Sequence, residues 1–318
     1  MQLAKYCKFL FNHYTPFRNN TPSYIKILIT HCQIISIISV INFKLIYATL
    51  DFTSFINFVK FFGAPQVLTS NQQQCLFNQD VMVDSYFQEI ISYVVILVAY
   101  LLLILGVFAL YVFYKKQLQL VSLILSVTVY YFLFLMPGSL NSLAAFLSVR
   151  NILDKQYMEK DLSVEVNSEE YNLSYSLIIP LLTGWLILVM FIFSILYRQR
   201  ARIIKTTQSQ LTIKQIFDNF STKFYQKYRF LIMSYSKRAY YWEFVNIINK
   251  VLIIFIIHIY NQNMVIKTAS IIVLLVIFSF IHLRIKPYES LLLNNLALYS
   301  QFIQIVTLSL LQIVLYVR

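Results

Sequence analysis

The sequence has little glycine, cysteine or charge, and each shortage excludes a class of protein. Four glycines in 318 residues argue against a glycine-rich nucleotide fold and against a large β-barrel. The three cysteines, Cys7, Cys32 and Cys75, are widely spaced and form no CxxC pair, so they give neither a metal signature nor a disulfide framework. Charged residues make up 12%, against roughly 25% in soluble domains. A soluble domain with so few charges could not keep its surface hydrated.

Apolar and aromatic side chains are abundant instead. Residues of the AVILMFWYC class make up 59% of the chain, and the mean hydropathy is +0.67. A membrane-spanning helix needs about 20 mostly apolar residues. Seven segments qualify, near residues 24–43, 90–114, 118–137, 173–197, 244–260, 268–283 and 291–317. The sequence therefore predicts an all-α membrane protein, a bundle of about seven transmembrane helices with short interfacial helices, after an N-terminal tail over residues 1–23.

The charges predict the orientation of these spans. Ten Lys and Arg residues lie in 198–238, between the fourth and fifth spans, whereas ten of the thirteen acids lie in 44–89 and 150–172. Because Lys and Arg accumulate on the cytoplasmic side, we predict a cytoplasmic N-terminus, with both acidic segments outside. Residues 46–62 are expected to form an outer interfacial helix, and 203–229 a basic amphipathic one. The segment 203–238 is therefore expected to bind anionic lipids.

Polar residues inside the spans are the candidate site. Glu243, Asn246 and Lys250 recur at helical spacing in the fifth span, with Asn249 beside Lys250. Ionisable groups in a membrane are costly and often functional, so this stripe is a candidate ion path. The alternative is that Glu243 lies at the headgroup level while Lys250 reaches the cytosol along its flexible stem.

The remaining candidates are structural. His31 and Gln33 are intramembrane polar groups for which hydrogen bonds between helices are a sufficient explanation. Pro137 is expected to kink or end the third span, and Pro287 to form the turn between the sixth and seventh spans. The scattered histidines predict no metal site and no cofactor, and the absence of hydrolase, protease or nucleotide-binding motifs predicts that the chain is not an enzyme.

Several short motifs carry a family resemblance. They include Tyr228-Arg229-Phe230-Leu231, the block Tyr240-Tyr241-Trp242-Glu243-Phe244 and the block Lys286-Pro287-Tyr288 followed by Asn294-Asn295-Leu296. In this order and spacing the chain resembles the C-terminal membrane domain of large ciliate cysteine-rich surface proteins, which is related to fungal TRP-like and polycystin-like channels. The resemblance covers about residues 24–310. It implies an ion-channel domain that conducts cations, a homo-oligomer, and a plasma-membrane or endomembrane location.

Other functions stay open at this point. The chain could be a non-conducting membrane anchor or interaction module, as a shortened paralogue or fragment of a larger surface protein. Its Phe, Tyr, Ile and Asn content also suggests a mitochondrially encoded carrier or respiratory subunit, which we rank last because no acid–lysine proton relay is visible. The net charge of +13 is assigned to the membrane surface rather than to nucleic acid.

Overall fold

A computed structural model of the chain describes residues 21–39, 120–198 without 154, 160, 161 and 163, and 235–317, together with the isolated positions 98, 102, 106 and 109. The elements in these ranges are α1 (Thr21–Ile38), α2 (Leu120–Ala145), β1 (Val149–Ile152), β2 (Lys155–Met158), α3 (Glu169–Arg198), a 3-10 turn (Lys237–Ala239), α4 (Trp242–Ile259), α5 (Met264–Ile285) and α6 (Leu291–Val317).

Four of the described helices are long and apolar enough to cross a membrane. They lie within α3, α4, α5 and α6, as Tyr171–Arg198, Trp242–Ile259, Met264–Ile285 and Leu291–Ile313. The helical membrane class predicted from composition is thereby confirmed. Helices α1 and α2 coincide with the predicted first and third spans, although α1 begins at Thr21, inside the predicted tail. The predicted second span and the interfacial helices at 46–62 and 203–229 lie outside the described residues, apart from four positions of the second span.

Two helices extend beyond the spans predicted for them. Helix α2 continues through Pro137 to Ala145, so Pro137 does not end this helix, and a kink there stays a prediction. A proline removes one N–H group and strains one turn, but a mostly apolar helix can continue on both sides of it. Helix α5 is also longer than the predicted 268–283. Its first turn includes Lys267, whose Nζ donates to the Asn261 carbonyl at 3.2 Å.

The acidic segment after α2 is not a simple loop. It begins with an antiparallel hairpin in which Val149 pairs with Met158 and Ile152 with Lys155. Leu153 at the turn has a positive φ of 45° and a side chain that is 93% exposed. A further bridge joins Tyr157 to Glu165. This mainly helical protein therefore also contains a small β element that the sequence analysis did not predict.

The described residues divide into two compact units. One contains α2, the hairpin and α3 up to Trp185; the other contains α1, α3 from Leu186, and α4 to α6. In the second unit, α1 packs against α4 and α6, and α5 packs against the same two helices. The rings of Phe193 in α3 and Phe244 in α4 also meet, with centroids 4.9 Å apart. The unit is a four-helix bundle with the end of α3 beside it.

The bundle buries several polar side chains within an apolar interior and exposes large apolar side chains on its outer faces. Gln33, Asn249, Lys250 and Gln304 are buried, whereas the outward faces of α5 and α6 expose large apolar residues such as Phe280 (68%) and Phe302 (63%). Exposed apolar surface of this extent is unfavourable in water and suited to lipid. This distribution agrees with the length and hydropathy of the helices.

Candidate functional site

A polar column inside the four-helix bundle is the candidate site. It is formed by residues of α1, α4 and α6 with one tyrosine from the segment before α4. Its members are Lys26, His31, Gln33, Tyr235, Glu243, Asn246, Asn249, Lys250, Ser300 and Gln304.

The first part of the column is a cluster centred on Glu243. Lys26 Nζ lies 2.8 Å from Glu243 Oε2, and the two side chains are only 17% and 13% exposed. The Tyr235 hydroxyl donates to the same oxygen at 2.7 Å, and Asn246 Nδ2 donates to that hydroxyl at 3.2 Å. Lys26 Nζ also lies 4.5 Å from the centre of the Tyr235 ring, within range of a cation–π interaction. The carboxylate is thus held by one cation and one phenol.

Tyr235 is positioned by the turn between α5 and α6. A backbone bridge joins Tyr235 to Tyr288, and their ring centroids are 5.1 Å apart. The neighbouring Ser236 N–H donates to the Pro287 carbonyl at 2.6 Å. Burial, together with the Glu243 carboxylate, raises the pKa of both Tyr235 and Tyr288. Both phenols therefore stay protonated at neutral pH, and Tyr235 can act as a donor to Glu243.

The second part of the column joins α1 to α4 about two helical turns further along. Lys250 Nζ donates to Gln33 Oε1 at 2.5 Å, and both residues are buried. Gln33 follows Lys26 by seven residues, as Lys250 follows Glu243. Two contacts with the same spacing on both helices require α1 and α4 to run in parallel.

The third part joins α1 to α6. His31 Nδ1 lies 2.7 Å from Ser300 Oγ and 2.9 Å from Gln304 Nε2. His31 Nδ1 thus contacts a hydroxyl and an amide of α6, and the direction of each hydrogen bond is set by the tautomer of the ring. Nearer the start of α6, Leu293 and Ala297 share a buried cluster with Ile27 of α1. The contacts advance together along both chains, so α6 is also parallel to α1.

Two amides of the column contain a buried oxygen with no hydrogen-bond partner in the part of the chain that the structure describes. These oxygens are Asn249 Oδ1 and Gln304 Oε1, and both residues are only 2% exposed. An unpaired buried acceptor costs about 1–3 kcal/mol. Unsatisfied atoms of this kind mark places where a small bound species or an alternative amide orientation is expected.

The structure brings together most of the residues proposed from sequence. Glu243, Asn246, Asn249 and Lys250 face the interior of the bundle, and His31 and Gln33 make the hydrogen bonds between helices that were predicted. The alternative in which Lys250 extends to the cytosol is wrong, because Lys250 is only 4% exposed. Pro137 lies in α2, outside this bundle, and Pro287 lies in the turn between α5 and α6.

Several members of the column were not proposed from sequence. Lys26, Tyr235, Ser300 and Gln304 were missed, although two signals were present. Lys26 and Gln33 repeat the spacing of seven residues that separates Glu243 from Lys250, and Ser300 and Gln304 are one helical turn apart on one face of α6.

Comparison with protein-family models, with curated proteins and with solved structures gives no match to this chain. The class of the protein is therefore defined by its own helices, which are those of an α-helical membrane protein. Within that class, its particular feature is the charged polar column of the four-helix bundle.

Proposed function

We propose that the chain is a multi-pass membrane protein of the ion-channel type, similar to TRP-like domains, in which the polar column controls cation conduction. The observation that carries this proposal is the burial of charged groups between membrane helices. Insertion scales assign roughly 2.5–3.5 kcal/mol to a charge at the centre of a spanning helix. A helical membrane anchor has no use for buried charges that would offset this cost. A protein that responds to ions or voltage needs such charges.

The net charge of the column favours a role in controlling conduction, rather than a role in lining the cation path. The column contains two cations, Lys26 and Lys250, and one anion, Glu243, so its net charge is +1. A cation about 4 Å from Lys250 would meet repulsion of about 4 kcal/mol at an effective dielectric constant near 20. We therefore propose that these side chains control the conformation of the bundle and do not line the cation path. They are Glu243, Asn246, Asn249 and Lys250.

Cation flux into liposomes tests this proposal. Purified protein of verified oligomeric state is reconstituted, and the wild type is compared with Glu243→Gln and with the exposed control Lys155→Met. We expect Glu243→Gln to change the fraction of time in the conducting state and to leave the relative permeability of Na⁺ and K⁺ unchanged. A change in that permeability would place residue 243 in the path and refute the regulatory role.

The second candidate is a non-conducting anchor or interaction module. This function is favoured by the pairing of the column residues with one another, because Lys26–Glu243 and Lys250–Gln33 join α1 to α4. Oligomer-verified protein that gives no cation flux under any applied voltage would support this function and exclude the channel.

We also propose seven spans, a cytoplasmic N-terminus and a plasma-membrane or endomembrane location. The parallel directions of α1, α4 and α6 support the topology, because the seven-span arrangement sends the first, fifth and seventh spans outward. Single-cysteine tags in 44–85, 151–172 and 203–238 and at the C-terminus test it. Labelling of Arg318→Cys from inside would contradict it. Homo-oligomerisation and anionic-lipid binding at 203–238 remain part of the proposal.

A further inference from the structure

Lys250 is an incompletely paired ammonium in the interior of the bundle. It is 4% exposed, and its only hydrogen bond in the described part of the chain goes to Gln33 Oε1. An ammonium has three N–H donors. Within the described ranges, two of these donors therefore have no acceptor.

The charge of Lys250 also lacks a direct counter-ion. Among the residues that the structure describes, the ion pairs are Lys26–Glu243 and Lys155–Glu165. The Glu243 carboxylate, two helical turns from Lys250 on α4, is thus held by Lys26. A buried charge with no direct counter-ion is unfavourable, and an anion beside Lys250 or the loss of its proton would remove this cost.

Asn249 supplies an independent sign of an unfilled position. It precedes Lys250 on α4 and is 2% exposed, and its Oδ1 has no hydrogen-bond partner. The two ends of a side-chain amide differ only in their hydrogen bonds, so a rotation of 180° exchanges them. After that rotation the amide nitrogen occupies the unpaired position and becomes a donor. Lys250 and Asn249 can then supply N–H donors from one turn of α4.

We infer that Lys250 and Asn249 bind one small monovalent anion, of the size and charge of chloride, inside the bundle. The anion accepts the N–H donors that Gln33 leaves unused, and it brings the charge of the column from +1 to zero. This inference does not depend on whether the protein conducts ions.

Thermal unfolding in chloride and in gluconate tests the inference. The wild type in detergent is heated in sodium chloride from about 10 to about 300 mM, with sodium gluconate keeping the ionic strength constant. A ligand that binds only the folded state then raises the melting temperature by on the order of 4 °C. Lys250→Met is expected to abolish this rise, whereas the exposed Lys155→Met is expected to keep it. Equal melting temperatures of the wild type in both salts would overturn the inference.

A second measurement needs no variant and covers the case in which Lys250→Met does not fold. Equilibrium dialysis of the wild type with radioactive chloride is expected to retain one chloride per chain, displaced by bromide and not by gluconate. If no chloride is retained, the anion site does not exist and the inference is overturned.

Discussion

Replacing Gln33 with leucine tests whether the column stabilises the bundle through the Lys250 hydrogen bond. The substitution removes the oxygen that accepts from Lys250 Nζ at 2.5 Å and keeps a side chain of similar size. The ammonium then remains buried without its acceptor. Lys250→Met removes the charge, and the double variant Gln33→Leu/Lys250→Met places two apolar side chains against each other.

The expected magnitudes differ enough to be separated. A hydrogen bond to a charged group contributes about 1.5–3 kcal/mol, and removing one partner of a buried charge costs up to about 5 kcal/mol. We therefore expect Gln33→Leu to lower the free energy of unfolding by about 3 kcal/mol and Lys250→Met by about 1 kcal/mol. The double variant should lose only about 1 kcal/mol, because packed apolar residues replace a buried polar pair at little cost. The coupling energy is then about 3 kcal/mol.

The assay is unfolding in mixed micelles at increasing denaturing detergent, followed by tryptophan fluorescence. Trp242 is 1% exposed and packs edge-on against His282, so its emission should report the loss of the bundle. Gln262→Leu, at an exposed position, controls for the introduction of leucine. Additive effects, with a coupling energy below about 0.5 kcal/mol, would show that the Lys250–Gln33 contact does not stabilise the bundle.

Three further predictions concern groups outside this contact. Burial and Glu243 raise the pKa of Tyr235 above its unfolded value, so this group stabilises the fold below about pH 10 and the contribution is lost as the pH rises. Tyr235→Phe should reduce the fall in stability in alkaline unfolding titrations, whereas Tyr260→Phe, with an exposed ring, should not. Asn294→Ala removes three hydrogen bonds to the turn before α6, and differential scanning calorimetry should show a loss of about 2 kcal/mol; an unchanged midpoint would exclude a capping role. Pro137→Ala restores an N–H donor within α2, so the melting temperature should rise, and a fall would show that the native form of α2 requires the proline.

The positions of the helices could be predicted from sequence, and their pairing could not. Hydropathy places α6 at 291–317, as the structure has it, because an apolar run of that length has few alternatives. The hairpin at 149–158 was missed because its residues alternate poorly and lie in an acidic stretch. Its turn depends on Leu153 at positive φ, which the sequence gives no reason to expect.

The candidate site could be predicted from sequence only in part, for the same reason. Glu243, Asn246 and Lys250 lie on one helix, so helical spacing alone brings them together. Their partners come from α1 and from Tyr235 in the segment before α4, and Gln33 lies more than 200 residues earlier in the chain than Lys250. No local pattern shows which apolar helix will face another, since lipid and helix surfaces are equally apolar.

Polar contacts supply the direction and the register that apolar surfaces lack. Leucine and isoleucine side chains pack almost equally well after a shift of one turn along a helix, so apolar packing alone fixes the axial position of α1 weakly. Lys26–Glu243 and Gln33–Lys250 are separated by seven residues on both helices, and a shift by one turn would break both contacts at once. Two buried charges would then face apolar surroundings, at a cost of several kcal/mol. The column therefore selects one register of α1 against α4. The buried polar groups that make the bundle costly to insert into a membrane are the same groups that specify how its helices pair.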